Sequence, residues 1–437
     1  MPYHAPVPEY RFLLDHVVDF PKVAATDRFA EAAPDVVAAM LTEAGRVCEE
    51  VLAPLQRSGD TQPVRFENGV VRLSPGFAEA YRALGAGGFL GVSGPEAHGG
   101  LGLPITVATA LNEMMSGACL ASQLSPLMAQ GQIEALDHHA PDWIKALYIP
   151  KLASGEWTAT MNLTEPQAGS DVGAAATRAE PAEDGTYRLT GQKIYITGGD
   201  NDFAANVAHL VLARLPDAPA GTKGISLFLV PKYIPREDGT PGERNAIRVI
   251  GIEEKLGLHA SATCTLAYEG ATGWLIGAPN KGMRCMFTMM NNARLGVGMQ
   301  GIGVAEGAYQ HALAYALERR QGATPVEGGT GAIVEHADVR RMLATMKAEL
   351  FAARAVAFAC AVAIDMETAT GEPGWAARAA LLTPVAKAFG TDTGLALSDT
   401  GIQIHGGMGV IEESGAAQYW RDVRVSAIYE GTNRSEE

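Results

Sequence analysis

Trp157-Thr-Ala-Thr-Met-Asn-Leu-Thr-Glu-Pro-Gln-Ala-Gly-Ser-Asp171 is where the texture of this chain changes. Its first half is a β-branched and apolar run, the composition of a strand, and it enters directly a loop of turn formers. From here to Leu275 similar short runs recur: YRLTGQKIYIT, VAHLVLA, GISLFLV, IRVIGI and TCTLAY. Turn signals at Glu183-Asp-Gly, Gly198-Gly-Asp and Asp238-Gly separate them, which predicts an antiparallel barrel or sandwich.

On both sides of this region the pattern is helical. Residues 29–55 are rich in Ala, Glu, Val and Met and are interrupted by Ala53-Pro54, with a turn through Gly59, Gln62 and Pro63. Residues 105–136 hold apolar residues and good helix formers without strand-like alternation, and a glycine-heavy loop, 85–102, precedes them. Pro141 opens a further short helix. Downstream, Val339, Met342, Leu343, Met346 and Leu350 lie on one helical face, and helical segments follow at 375–400 and 413–425. The order helices, strands, helices predicts an α+β fold, not the strand–helix alternation of a dinucleotide-binding domain. The expected parts are an N-terminal extension over 1–35, an N-terminal helical domain over 36–155, a central β domain over 156–277 and a C-terminal helical domain over 278–437.

A chain of 437 residues exceeds one ordinary core. Its net charge of −15 repels phosphate backbones and anionic bilayers, so neither nucleic acid nor a membrane is an expected partner. Cys48, Cys119, Cys264, Cys285 and Cys360 are scattered and never spaced as CxxC. Buried reduced thiols in a cytoplasmic protein are expected, with no metal site. Neither a signal-like N-terminus nor an apolar stretch long enough for a bilayer is present.

Four stretches carry candidate chemistry. Thr164-Glu-Pro-Gln-Ala-Gly-Ser-Asp171 offers hydroxyls and approachable backbone N–H groups that suit carbonyl or phosphate oxygens; an ordinary Asx/Ser turn has the same composition. Gly191-Gln-Lys-Ile-Tyr-Ile-Thr-Gly-Gly199 places an aromatic at 195 and a hydroxyl at 197 on one strand face, which a plain hairpin would also do. Gln403-Ile-His-Gly-Gly-Met-Gly409 is a glycine turn that suits a pyrophosphate or a helix stop. Ile428-Tyr-Glu-Gly-Thr432 ends a helical segment with a carboxylate.

Together and in this order, these stretches resemble the acyl-CoA dehydrogenase family from about residue 80 onward. Tyr3-His-Ala-Pro6 and Glu9-Tyr-Arg-Phe-Leu-Leu14 resemble the N-terminal extension of its long bacterial branch, which includes the 3-methylmercaptopropionyl-CoA dehydrogenase-like enzymes. The resemblance implies a FAD enzyme that desaturates an acyl-CoA thioester and passes electrons to an electron transfer flavoprotein, working as a homodimer or a dimer of dimers. By position it implies that Met161, Leu163, Thr164, Gly169, Ser170, Tyr195, Thr197 and Thr432 meet FAD. Arg319, Gln403, Gly406 and Gly407 would complete the cofactor site of a neighbouring subunit, while Ser170, Asn291, Arg294 and Gly431 would meet the CoA ester. Glu430 is implied as the catalytic base. Some branches place their base at the position of Ala293, where alanine cannot abstract a proton.

The departures are Tyr195 in place of the usual Trp, Asn291 in place of Asp, and His259 in place of Arg or Lys. After Asn433 the family continues into a helix, whereas this chain reads Arg434-Ser-Glu-Glu437. An incomplete C-terminal domain is therefore expected, with Glu430 on a fraying end. An acyl-CoA oxidase and a DNA-associated flavoprotein of the same family are the alternative readings.

Overall fold

The computed structural model describes residues 3–433; the expectation about 434–437 lies outside the described residues. The first part comprises α1 (Val7–His16), α2 (Pro21–Ala24), α3 (Pro34–Val47), α4 (Leu55–Thr61), α5 (Phe77–Ala86), α6 (Ile105–His139) and α7 (Asp142–Ala153). A small hairpin, β1 (Arg65–Glu67) and β2 (Val70–Arg72), interrupts it. The turn expected at Gly59 is instead the interior of α4. A side chain there would meet the Phe77 ring at 2.7 Å, so the glycine serves close packing and not a chain reversal. The reversal comes at Asn68-Gly69, with φ of 52° and 77°, the left-handed pair that two-residue hairpins require.

Helix α6 is not straight. Cys119 breaks it with φ −161° and ψ 99°. Asn112 Nδ2 donates to Gln130 Oε1 at 2.9 Å, although 18 residues of straight helix would span about 27 Å. The two halves therefore lie side by side as a helical hairpin.

The middle part contains β3 (Trp157–Asn162), β4 (Arg178–Pro181), β5 (Tyr187–Thr197), β6 (Asn206–Arg214), β7 (Ile225–Pro231), β8 (Tyr233–Pro235), β9 (Pro241–Arg244), β10 (Ile247–Ile252) and β11 (Thr263–Ile276). Pairing runs β11–β5–β4–β6, and β7 bridges β6 back to β11, which closes a barrel. The sheet is mixed, not antiparallel throughout. β3 pairs with β6 in parallel from Trp157↔Asn206 to Asn162↔Val211. The β4–β5 hairpin lies within the long crossover that a parallel pair needs.

The last part is α8 (Gly282–Glu318), α9 (Ala337–Thr370), α10 (Pro373–His405) and α11 (Ala416–Val423). α8 and α10 touch backbone to backbone: a Cβ on Gly301 would lie 2.2 Å from the Gly390 carbonyl oxygen. On α9, Leu343, Met346 and Leu350 are buried as their spacing predicts.

One hydrophobic core unites residues of the first part, such as Tyr10, Leu41 and Leu111, with Met299, Met346 and Phe358 of the last. The barrel is thus inserted into a helical unit built from both ends of the chain. Its exit and return points meet where Gly277 N–H donates to the His139 carbonyl at 3.1 Å. All five cysteines are free and buried, among the described residues no group of side chains is arranged to hold a metal, and no helix there is long and apolar enough to cross a membrane.

Candidate active site

The loop after β3 is held by an ion pair inside its own motif. Lys193 Nζ on β5 donates to Glu165 Oε1 at 2.7 Å and to the Leu163 carbonyl at 2.9 Å. Glu165 also accepts from the N–H groups of Ala176 and Thr177 at 2.7 and 3.1 Å. Burial pushes Glu165 up, but the Lys193 ammonium and these donors outweigh it and hold the carboxyl at about 2. Burial lowers Lys193 to about 8 against the pull of Glu165. The pair is therefore ionised near neutrality, and it fixes the loop carrying Leu163, Thr164, Gly169 and Ser170 against β5. The Thr164 carbonyl completes this by accepting from Ile194 N–H at 2.9 Å. Met161 is buried below, while Gly169 and Ser170 are exposed.

Tyr195 sits at a β-bulge. The β5–β11 register slips between Cys264 and Leu266, and Tyr195 adopts φ 59°. Bulges re-aim side chains, and here the ring is 62% exposed although it lies on an interior strand. The buried positions fall at Lys193 and Ile196, so strict alternation does not run from 195 to 197. An exposed aromatic in the left-handed region is a costly placement that folded chains keep mainly at working sites.

Glu430 is a second such residue, with φ 53°, followed by Gly431 at φ 94°. Residues 429–433 are hydrogen-bonded to α8 and α10. Lys387 Nζ, from α10, donates to the Gly431 carbonyl at 2.6 Å and to Asn433 Oδ1 at 2.8 Å. Asn433 Nδ2 donates to Thr391 Oγ1 at 2.8 Å and Asp392 Oδ1 at 3.0 Å. The Tyr429 hydroxyl donates to Gln300 Oε1 on α8. Arg294 borders the same turn, since a Cβ on Gly431 would lie 3.8 Å from its guanidinium. Burial raises the Glu430 carboxyl to about 7, with Arg294 and Lys387 opposing it. Burial lowers Lys387 to about 8, against Glu430 and Asp392. The Glu430 N–H has no backbone partner among the described residues. Ala293, one position before Arg294, is buried.

The structure thus gathers Glu430, Gly431 and Arg294, with Thr432 exposed beside them and Asn291 exposed on the same helix as Arg294. Arg319 caps the far end of α8 and is exposed. Near it, the His405 ring at the end of α10 stacks on Tyr315 at 4.4 Å, and Gln403, Gly406 and Gly407 lie exposed. His259 belongs elsewhere: its Nδ1 lies 2.8 Å from Asp60 Oδ1, and Arg421 grips the same carboxylate at 2.7 Å. It ties the 255–261 loop to α4 and α11.

Sequence reading passed over Lys193, Lys387 and Gln300. Lys193 stood inside a quoted motif, and its signal was a lysine on the buried face of a strand facing Glu165. Lys387 and Gln300 are polar residues on otherwise apolar helix faces, a pattern that marks buried hydrogen bonding.

The fold is thus a barrel set into a helical unit, with a strained exposed aromatic on the barrel and a strained glutamate at the end of the helices. The chain belongs to the acyl-CoA dehydrogenase family, whose enzymes depend on FAD: it matches that family's N-terminal, middle and C-terminal domains over residues 35–156, 160–271 and 280–436. It is 45% identical to 3-methylmercaptopropionyl-CoA dehydrogenase of Ruegeria pomeroyi, over 99% of this chain and 74% of that protein. It is 35% identical to a butyryl-CoA dehydrogenase of Syntrophomonas wolfei, over 97% of this chain and 73% of that one. Among solved structures, butyryl-CoA dehydrogenase from Megasphaera elsdenii superposes with a TM-score of 0.75 at 25% identity, covering 91% of this chain and 95% of the other. An acyl-CoA dehydrogenase from Bacillus anthracis complexed with FAD gives 0.71 at 28% identity, covering 82% and 60%.

Proposed function

We propose that this protein introduces an α,β double bond into an acyl-CoA thioester, with Glu430 as the base that removes the α-proton. The observation that carries this reading is the setting of Glu430, on a left-handed turn that Lys387 pins beside Arg294, where burial raises its carboxyl to about 7. A solvated carboxylate is too weak a base for such a proton, and a raised pKa near working pH suits general-base catalysis. The unpartnered Glu430 N–H beside it suits the thioester carbonyl, where donors fixed in advance are worth about 3–4 kcal/mol in the transition state. Arg294 and Lys387 favour the carboxylate form once the proton has moved on. Asn291, Arg294, Gly431 and Ser170 are the residues that would meet the CoA ester.

The residues fit FAD on this chain's own geometry. Tyr195 offers a bare ring, Gly169 has nothing within 4 Å of an added Cβ, and the hydroxyls of Thr164, Ser170 and Thr197 lie along the same loop and strand. Met161, Leu163 and Thr432 complete that set. Bound there, FAD supplies the acceptor for the β-hydride, and an electron transfer flavoprotein is its proposed outlet. Arg319, Gln403, Gly406 and Gly407 would reach the cofactor of a second copy. The exposed apolar residues Leu381, Val385 and Phe389 on α10, with Met408, Val410 and Ile411 beyond it, suit a homodimer or dimer of dimers.

The test is an anaerobic titration of the FAD-loaded protein with a panel of acyl-CoAs, including butyryl and 3-methylthiopropionyl esters, following flavin bleaching. At least one ester is expected to bleach the wild type fully and leave Glu430→Gln oxidised. Equal bleaching of both would refute the assignment of the base.

A further inference from the structure

Five side chains form a one-way chain of hydrogen bonds that ends beside Glu430. Gln130 Nε2 donates to the Phe89 carbonyl at 3.0 Å. Asn112 Nδ2 donates to Gln130 Oε1 at 2.9 Å, and Gln123 Nε2 donates to Asn112 Oδ1 at 3.1 Å. Gln300 Nε2 donates to Gln123 Oε1 at 2.7 Å, and the Tyr429 hydroxyl donates to Gln300 Oε1. Asn112, Gln123, Gln130 and Gln300 are all buried, Gln123 and Gln300 completely.

The direction of this chain is set at its far end. A backbone carbonyl only accepts, so Gln130 must turn its amine toward Phe89 and its oxygen toward Asn112. The same constraint passes through each amide in turn, and Gln300 is left presenting an oxygen to Tyr429. The tyrosine hydrogen is therefore committed to Gln300 and is withheld from the carboxylate next to it in sequence. Reversing any amide would set two like atoms face to face in a buried setting, which costs about 1–3 kcal/mol per unsatisfied group. The chain also spans the α6 hairpin and α8, so it refers Tyr429 to two elements at once. The carboxylate of Glu430 has no hydrogen-bond partner among the described residues; its place is set by its neighbours, Tyr429 on one side and Gly431, held by Lys387, on the other.

We infer that Gln300 and Tyr429 are positioning residues for proton abstraction: the buried amide chain orients the Tyr429 hydroxyl as a donor to Gln300 and thereby holds Glu430 in its left-handed conformation. This inference rests on the proposed role of Glu430. The test is a double-mutant cycle of Tyr429→Phe and Gln300→Leu in the FAD-loaded enzyme, with Glu430→Gln measured in parallel. Each single variant is expected to lower kcat about ten- to hundredfold, the scale of a misplaced catalytic group, with KM for the acyl-CoA and FAD retention unchanged. The double variant is expected to be no slower than the worse single one, because both cut the same link. A purely structural role would lower melting temperature and FAD content together and leave kcat per flavin intact. Additive losses, or wild-type kcat in Tyr429→Phe, with an inactive Glu430→Gln, would overturn the positioning role alone. An active Glu430→Gln would overturn the base and this inference with it.

Discussion

Arg354 has no exposed surface and is surrounded by carboxylates. Its Nε and Nη2 donate to Glu113 Oε1 at 2.8 and 2.5 Å, Nη2 also reaches Glu306 Oε2 at 2.8 Å, and Nη1 reaches Glu9 Oε2 at 2.5 Å. Arg354→Met keeps much of the packing volume and removes the cation. Glu113 is then left buried without a cation, while Glu306 keeps Lys347 at 3.8 Å and the Gln310 amide at 2.8 Å, and breaking a buried ion pair from one side costs about 3–5 kcal/mol. With an unfolding entropy of roughly 2.1 cal/mol/K per residue, a chain of 437 residues loses about 0.9 kcal/mol per degree, so Tm should fall by about 3–5 °C. The loss should depend on pH with a definite sign. Burial already raises the Glu113 carboxyl against the pull of Arg354, and orphaning it raises it further, so its penalty is absent while it holds a proton and grows as pH rises through the raised value. Melts at pH 5.5 and pH 8 should therefore diverge, with the larger deficit at pH 8. Adding Glu113→Gln to Arg354→Met should recover much of it at the higher pH. A change below about 1 °C at both pH values, a fraction of the expected shift, would refute the reasoning.

The remaining expectations concern the site. Glu430→Gln should retain FAD while turnover falls by at least ~10²–10⁴-fold, read from steady-state kinetics. In the wild type kcat/KM should rise with pH through about 7 as Glu430 loses its proton, and fall above about 8 as Lys387 loses its charge and holds the Gly431 carbonyl less tightly; a flat profile across that range would contradict both assignments. Lys193→Met should unseat the 163–170 loop and reduce FAD retention on gel filtration, with the barrel's circular dichroism unchanged. Sedimentation should give a homodimer or a dimer of dimers, and a stable FAD-loaded monomer would contradict the roles of Arg319 and Gln403.

Much of the fold was legible because its signals are local. Runs such as VAHLVLA and GISLFLV became β6 and β7, and the spacing of Leu343, Met346 and Leu350 gave a buried helical face. The fold-back of α6 was missed: Ser116-Gly117 is a turn dipeptide just before the break at Cys119, but the helix formers on both sides outweighed it in the reading. The parallel pairing of β3 with β6 was equally hidden, since the strands are buried on both faces and burial alternation cannot assign a neighbour. Asn68-Gly69 was a readable hairpin signal that the reading missed. At the site, Tyr195 and Glu430 could be located by motif, but not their left-handed backbones. The tethers Lys193, Lys387 and Gln300 stood out only as polar residues on apolar faces, and their partners, brought close by tertiary folding, could not be named.

The hydrogen bond between His139 and Gly277 has a consequence for how the chain folds. The barrel leaves the helical unit and returns to it at nearly one point, so a folded barrel delivers the start of α8 to the end of α6. Joining those helices across a disordered segment of that length would carry a closure entropy that grows with the logarithm of the loop; across a finished barrel the ends already meet. The middle of the chain is therefore expected to fold first and to act as a short rigid turn. The helices on either side, whose shared core includes contacts 345 residues apart, then dock as though they were neighbours in sequence. In a pulse-labelled hydrogen-exchange experiment, amides of β5, β6 and β7 should gain protection before those of α1 and α9.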